Sequence, residues 1–235
     1  MKTSIIVQAR MGSSRLPGKV LKEINGITLL EFLLKQISYC KSIDEIIVAT
    51  TTEKIDDVIF NKCKDLNVTV FRGSELNVLD RYYQCAKTYS IENIVRITAD
   101  NPLIDPQIID QVVEIYKKNQ FDYVSNCEVR TFPSGTEVEV FSFSSLQRAK
   151  NEAADKYELE HVTPYIINKE KFRTFCLKRD VDISHLRWTV DRKEDLIFIQ
   201  KIYEQFRKEP ILLEDILEII EKEPDLLEYN RNLTR

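Results

Sequence analysis

Residues 8–19, Gln8-Ala9-Arg10-Met11-Gly12-Ser13-Ser14-Arg15-Leu16-Pro17-Gly18-Lys19, set three cations and two glycines directly after an apolar run, Ser4-Ile5-Ile6-Val7. The run reads as a buried strand. In α/β sheets, ligands bind at loops that leave the carboxyl ends of strands. Cationic side chains, with small residues that let backbone N–H groups approach, suit the oxygens of a polyphosphate. Arg10, Arg15 and Lys19 therefore point to a nucleoside triphosphate, with Ala9, Met11, Gly12 and Ser13 as the intervening contacts. The segment is not a Walker loop, which has four residues between its glycines and Ser or Thr after its Lys. Here five residues separate Gly12 from Gly18, and Val20 follows Lys19. The G-x-G-x-x-G fingerprint is also absent. An exposed basic turn is the competing reading, yet two of the chain's five glycines fall in this one loop.

Two carboxylates extend the pattern. Asp100 follows the apolar stretch 94–98, and Asp191 ends the stretch 187–190. Hard oxygen ligands at strand ends could hold Mg²⁺ against triphosphate oxygens, as in metal-assisted nucleotidyl transfer. Alternatively, each Asp caps the segment after it. A third group, Arg72, Gly73, Ser74, Asn77 and Asp80, leaves a strand and opens a helix, where it could read a base or ribose. The same residues also describe a plain strand–helix turn with Asn77 as N-cap. A fourth group is Pro133, Gly135, Glu137 and Glu139, whose two glutamates share one strand face. That face could meet solvent or line an acceptor pocket. His161 stands just before an expected helix start, a position typical of surface or capping residues, and His185 has no motif around it.

These groups need elements to hold them. Hydrophobic periodicity predicts strands at 4–8, 45–50, 68–71 and 93–98, alternating with helices at 28–40, 54–66, 78–89 and from Pro106 onward. Ile55, Val58, Ile59 and Cys63 are expected on one buried face of the second helix, and Asn25-Gly26 marks a tight turn. This alternation implies a largely parallel sheet with helices on both faces. After residue 120 the pattern changes. Strands are expected at 121–126 and 137–143, joined by a Pro133-Ser134-Gly135 turn. Further strands are expected at 172–178 and 187–191. Helices are expected at 144–154, from Thr163-Pro164, and at 194–207 and 212–221.

Bulk composition narrows the classes. The 235 residues suffice for one sizeable domain, and 43% hydrophobic with 31% charged residues is ordinary for a soluble protein. A net charge of −4 gives no electrostatic reason to expect nucleic acid or an anionic membrane. Five cysteines without C-x-x-C spacing argue against zinc or a disulfide framework and fit a reducing cytoplasm. No apolar run is long enough to span a bilayer, and the first residues read as a strand rather than a signal peptide.

Taken together, VQARMGSSRLPGKVL, VFRGSELNVLDRYY, RITADNPLIDP, FPSGTEVEVFS, EHVTPYI and RWTVDRKEDL resemble the cytidylyltransferase family. The resemblance is to its spore-coat polysaccharide biosynthesis (SpsF-type) branch, with 3-deoxy-manno-octulosonate and acylneuraminate cytidylyltransferases as more distant relatives. It implies a three-layer, mostly parallel α/β fold of the nucleotide-diphospho-sugar transferase type. A small β excursion in 121–180 would serve dimerisation. It divides a single domain, 1–235, into a nucleotide-binding half (1–120), an acceptor-binding and dimerisation half (121–195) and C-terminal helices (196–235). The implied reaction is transfer of CMP from CTP to a sugar acid or sugar phosphate, releasing pyrophosphate, by a cytoplasmic homodimer. Alternatives are guanylyl transfer to a hexosamine 1-phosphate, or a glycosyltransferase of similar fold.

By the same resemblance, Arg10, Arg15 and Lys19 hold the triphosphate and, with Asp100, carry the chemistry. Asp100 and Asp191 bind Mg²⁺, while residues 133–139 and His161 lie near the acceptor. Asn77 stands where the branch commonly has an acidic residue, and Leu159 where it has Arg.

Overall fold

The computed structural model describes residues 1–168 and 170–230. Residues 231–235, the end of the expected C-terminal unit, lie outside the described residues. Seven strands form one sheet: β1 (Thr3–Gln8), β4 (Glu45–Thr51), β5 (Thr69–Gly73), β6 (Asn93–Thr98), β7 (Tyr123–Ser125), β8 (Glu139–Ser142) and β9 (Thr174–Cys176). β2 (Glu23–Ile24) and β3 (Ile27–Thr28) form a small ribbon around the Asn25-Gly26 turn. The helices are α1 (Leu29–Ile37), α2 (Asp57–Asp65), α3 (Val78–Thr88), α4 (Pro106–Lys118), α5 (Phe143–Glu152), α6 (Lys156–His161), α7 (Lys193–Gln205) and α8 (Leu213–Lys222).

Strand order in the large sheet is β5-β4-β1-β6-β8-β7-β9, and β8 alone runs against the others. Side chains alternate across β1. Ile5 and Val7 join the core packed by α1, α4, α7 and α8, while Ile6 joins the core packed by α3 and α5. The sheet is thus the middle of three layers, as expected. From β1 the chain moves outward through β4 and β5, then returns to place β6 on β1's other side. The crevice between β1 and β6 is therefore the topological switch point, where open α/β sheets bind ligands. Gln8 lies opposite Ala49 in β4 and Thr98 in β6, so the loops that follow β1 and β6 leave one sheet edge together.

Local chemistry explains the element ends. Thr28, Asn77, Asp105 and Ser142 each accept a hydrogen bond from a first-turn N–H of α1, α3, α4 and α5, respectively. Asp105 also accepts from the Leu213 N–H at 2.8 Å, and Gln36 exchanges hydrogen bonds with Ile211, so α8 is tied back onto α1 and α4.

Several expectations are corrected. Residues 54–56 form a 3-10 turn rather than the first turn of α2, and Ile55 on it is exposed; within α2 the buried stripe runs through Ile59 and Cys63, and Val58 falls outside it and is exposed. The strands expected at 121–126 and 137–143 form as the shorter β7 and β8, which pair antiparallel across the long connection 126–138, with β8 between β6 and β7. No helix starts at Thr163-Pro164. Instead α6 ends at His161, because Val162 takes the left-handed φ of +72°. Residues 187–191 are not a strand. They run beside Ser134, whose carbonyl accepts from the N–H groups of Trp188 (2.6 Å) and Thr189 (3.2 Å).

Gly135 makes that crossing possible. Its φ is +102°, and a Cβ there would lie 2.4 Å from the Thr189 nitrogen and 2.6 Å from the Trp188 carbonyl carbon. Gly135→Ala adds backbone strain to a clash with rigid main chain. Stability to urea should fall by about 2–4 kcal/mol. A loss within experimental error would show that the two segments can separate without cost.

Candidate active site

The loop after β1 is closed by its own backbone. The Met11 carbonyl accepts from the N–H groups of Ser13 (2.8 Å) and Gly18 (3.0 Å), and Gly18 has φ +68°. The Met11 N–H donates to Asp56 at 2.7 Å. Asp56 is buried and also accepts from the Thr51 hydroxyl, so the end of β4 fixes the loop after β1. The closed turn delivers Lys19 back beneath the loop, where it is nine-tenths buried.

The Lys19 ammonium donates to Asp100 Oδ2 (2.7 Å), Asp191 Oδ1 (3.0 Å) and the Val190 carbonyl (2.9 Å). Three segments far apart in sequence converge on this one cation. Asp191 Oδ1 also pairs with Arg15 at 2.8 Å, and its Oδ2 accepts from Arg187 at 2.8 Å. Arg187 is oriented in turn by Asp195, a fully buried carboxylate that accepts from the backbone N–H groups of Asp191 and Arg192 as well. Burial acts to raise the Asp191 carboxyl. Lys19, Arg187 and Arg15 together outweigh it and hold the group below the usual carboxylate range.

A cleft of about 390 Å³ opens above this cluster, lined by Ala9, Arg10, Gly12, Ser13, Arg15, Lys19, Asp100, His161 and Asp191 among others. A second cavity of about 450 Å³ adjoins it and shares Arg15, Thr98, Asp100, His161 and Asp191. Glu137 and Glu139 line the second cavity rather than open solvent. Glu139 pairs with Arg96 across the β6–β8 register and accepts from the Tyr123 (2.8 Å) and Thr163 (2.6 Å) hydroxyls. Glu137 accepts from the Gly135 N–H at 2.8 Å. Burial pushes its carboxyl above the ordinary range despite that N–H and nearby Arg130. Pro133 helps form the turn that presents these residues: its carbonyl accepts from the Thr136 hydroxyl at 2.8 Å.

The third predicted group stands apart. Arg72 is spent on the Thr51 and Glu53 carbonyls and on Asp57, Asn77 caps α3, and Asp80 lies 3.7 Å from Lys150. The Ser74 hydroxyl accepts from the Asn77 N–H at 3.0 Å. At Gly73 a Cβ would press on Arg81 at 2.9 Å, so this glycine serves packing. None of the five lines either cavity, nor does Met11. Their link to the loop runs through Glu75, 4.0 Å from Arg10. Sequence reasoning missed Asp56, Arg187 and Asp195, which hold the loop and Asp191 in place without lining the nucleotide cleft themselves. Of the three, Asp195 alone carried a visible signal, as an acidic residue in the first turn of a helix.

Asp100 and Asp191 bring hard carboxylate oxygens to either side of the Lys19 ammonium. Mg²⁺ is commonly held by one or two carboxylates together with substrate phosphates and water, so the pair fits that ion. Among the described residues no group of three or more His, Cys, Asp or Glu is placed to hold a metal. No helix among them is long and apolar enough to cross a membrane.

Comparison with known proteins adds a family context. A family model described as cytidylyltransferase matches residues 4–233. The spore coat polysaccharide biosynthesis protein SpsF of Bacillus subtilis is 33% identical over 87% of this chain and 88% of its own length. A cytidylyltransferase structure from Leptospira borgpetersenii superposes with a TM-score of 0.93 at 37% identity, covering 100% of this chain and 99% of that one. A CMP:2-keto-3-deoxy-manno-octonic acid synthetase solved with CTP shares the fold, with a TM-score of 0.67 at 16% identity over 87% and 99% of the two chains.

Replacing Asp191 by Asn takes one carboxylate from three cations, of which Lys19 keeps Asp100 and Arg187 keeps Asp195. At pH 7 the variant should lose on the order of 3 kcal/mol of stability. Because the native carboxyl sits below its unfolded value, this contribution is complete above the ordinary aspartate pKa of about 3.9 and fades as pH falls through the lower native value. Urea titrations of both proteins should converge below about pH 3.9. A gap that stays constant with pH would deny the carboxylate charge its role.

Proposed function

This chain belongs to the cytidylyltransferase family, and we propose that it moves CMP from CTP to a sugar acid or sugar phosphate, releasing pyrophosphate for the synthesis of a surface glycan. The observation that carries this reading is the Lys19 ammonium joining Asp100 and Asp191 beneath a basic loop at the switch point of the sheet. The synthetase of like fold that was solved with CTP supports the choice of nucleotide. Two adjoining cavities that share Asp100 and Asp191 suit a two-substrate transfer: one takes the triphosphate and the other the acceptor.

An acceptor oxygen attacks the α-phosphorus in line with the departing pyrophosphate. Such chemistry depends on positioning and charge rather than on a protein nucleophile. Lys19 is fixed by three acceptors and reaches the phosphates from below. Arg10 and Arg15 are more exposed and close on the leaving pyrophosphate from the rim. Asp100 and Asp191 would hold Mg²⁺, which would supply further stabilisation of phosphate charge. The acceptor rests against the wall made by Ser134, Glu137 and Glu139. A homodimer formed along β9, an edge strand with Phe175 40% exposed, completes the reading.

Pyrophosphate release with Mg²⁺ should appear with CTP and one member of a panel of sugar acids and sugar 1-phosphates, and EDTA should abolish it. Release only with GTP would move the protein to guanylyl transfer, and no release with any pair would reject nucleotidyl transfer. In the active pair, Asp100→Asn should lower turnover by at least about 100-fold, on the order of 3 kcal/mol of transition-state stabilisation, with a melting temperature lowered less than in Asp191→Asn, because Lys19 keeps Asp191 and the Val190 carbonyl. Near-normal turnover would remove Asp100 from the chemistry.

A further inference from the structure

Gln8 is the last residue of β1 and opens the basic loop. Its side chain leaves the sheet on the face of Ile6, and Arg96 and Thr98 leave β6 on that same face, opposite Ile6 and Gln8 in the register. Arg96 Nη2 donates to Gln8 Oε1 at 3.2 Å, and Arg96 Nη1 pairs with Glu139. A guanidinium carries donors and no acceptor, so the oxygen of the Gln8 amide faces Arg96 and its NH2 points away. Gln8 lines the first cleft, and no oxygen among the described residues accepts from that NH2. Resting on the nucleotidyl-transfer reading, we propose that the Gln8 amide is a fixed hydrogen-bond donor in the nucleotide cleft and that it binds a non-bridging oxygen of the α-phosphate.

The donor is aimed before any ligand binds. The Gln8 carbonyl accepts from the Ala99 N–H at 3.0 Å, and the Ala9 N–H donates to the Ala49 carbonyl at 3.3 Å, so the main chain is held from β4 and from the end of β6. Arg96 is held in turn by Glu139, whose Oε1 accepts from the Tyr123 (2.8 Å) and Thr163 (2.6 Å) hydroxyls. A donor fixed in this way needs no reorganisation to meet a phosphate oxygen.

The register sets where along the nucleotide the amide acts. Thr98, opposite Gln8, lines both cavities, and Arg96, behind the amide, lines the second. Gln8 therefore stands where the nucleotide cleft borders the acceptor cavity, and the α-phosphate is the part of the triphosphate that must reach that border. The cations farther along the loop serve the departing pyrophosphate. A neutral amide adds a hydrogen bond there without adding charge to a cluster that already balances its own.

A purely structural Gln8 would act only as an acceptor for Arg96. The two roles use different atoms, so substitution separates them. Gln8→Glu keeps an oxygen for Arg96 and deletes the donor; Gln8→Met, of similar length, deletes both and adds no charge. Calorimetric titration of the full chain with Mg²⁺ measures the affinity for CTP, for pyrophosphate and for the two diastereomers of the α-thio analogue of CTP, after melting curves have shown that each variant is folded. Both variants should lose at least about tenfold in CTP affinity, as for a hydrogen bond to a charged group, and stay within about threefold for pyrophosphate. Sulfur is a weak acceptor, so the wild type should bind one α-thio diastereomer more weakly than CTP, and that difference should shrink in both variants. The α-thio comparison decides the matter if only one variant folds. CTP affinity within about threefold of wild type in Gln8→Glu would leave Gln8 its structural role alone and overturn the proposal. Equal losses for CTP and pyrophosphate, or an α-thio difference that persists in the variants, would overturn it too. A wild type that binds no CTP would instead strike down the nucleotidyl-transfer reading, and the donor with it.

Discussion

The Lys19 ammonium is the constraint on which the site depends. It joins residues 81 and 172 positions away in the chain, and each partner sits at the end of a different segment. An isolated buried charge is costly, and a pair broken on one side leaves the other unpaired. Lys19, Arg15 and Arg187 face Asp100, Asp191 and Asp195, so the cluster balances its own charge while no substrate is bound. The loop can therefore fold around its cations with the protein's own carboxylates as their counter-charge. The remaining contacts keep Lys19 from leaving. Gly18 turns the chain under itself, Asp56 fixes Met11, and Asp195 steadies the arginine that steadies Asp191.

The cations differ in freedom. The Lys19 side chain is 11% exposed and the Arg15 side chain 46%, though both pair with the same oxygen of Asp191. The buried cation is a fixed electrostatic element that needs no reorganisation when charge develops. The exposed one is screened and loosely held, and can exchange Asp191 for phosphate at little cost. One carboxylate thus serves as counter-ion to a permanent cation and as temporary partner to a movable one.

Much of this was legible in the sequence wherever one element decided the outcome. β1, β4, β6 and α4 follow from apolar periodicity and from Asp105-Pro106. Cations and glycines crowd one strand end in the sequence, and the structure gathers Arg15 and Lys19 there against Asp100 and Asp191. Expectations failed where a distant contact decided. Residues 187–190 carry a strand-like pattern, yet their hydrogen bonds go mainly to Ser134 and Asp100 rather than to a ladder. Thr163-Pro164 has the chemistry of a helix start, but the reversal at Val162 is set by packing against α3 and α5, which no local pattern encodes. Arg72 has the charge of a ligand contact, and its guanidinium is instead consumed by β4 and α2.

The antiparallel strand β8 links the two halves of the site. It carries Glu139 to a position opposite Arg96 on β6, placing a buried ion pair in the wall of the second cavity. The same glutamate accepts from Thr163, so the turn that presents His161 and the strand that walls the cavity share one carboxylate. Gly135, two residues before Glu137, lets the strand's approach pass against residues 188–189 and so fixes where Asp191 begins. A change in the acceptor wall is therefore felt at the carboxylate beside Lys19 through main chain alone. Because both cavities lean on the same few buried contacts, substitutions at outer residues of the second cavity, such as Arg130, can reshape it while the first keeps its geometry.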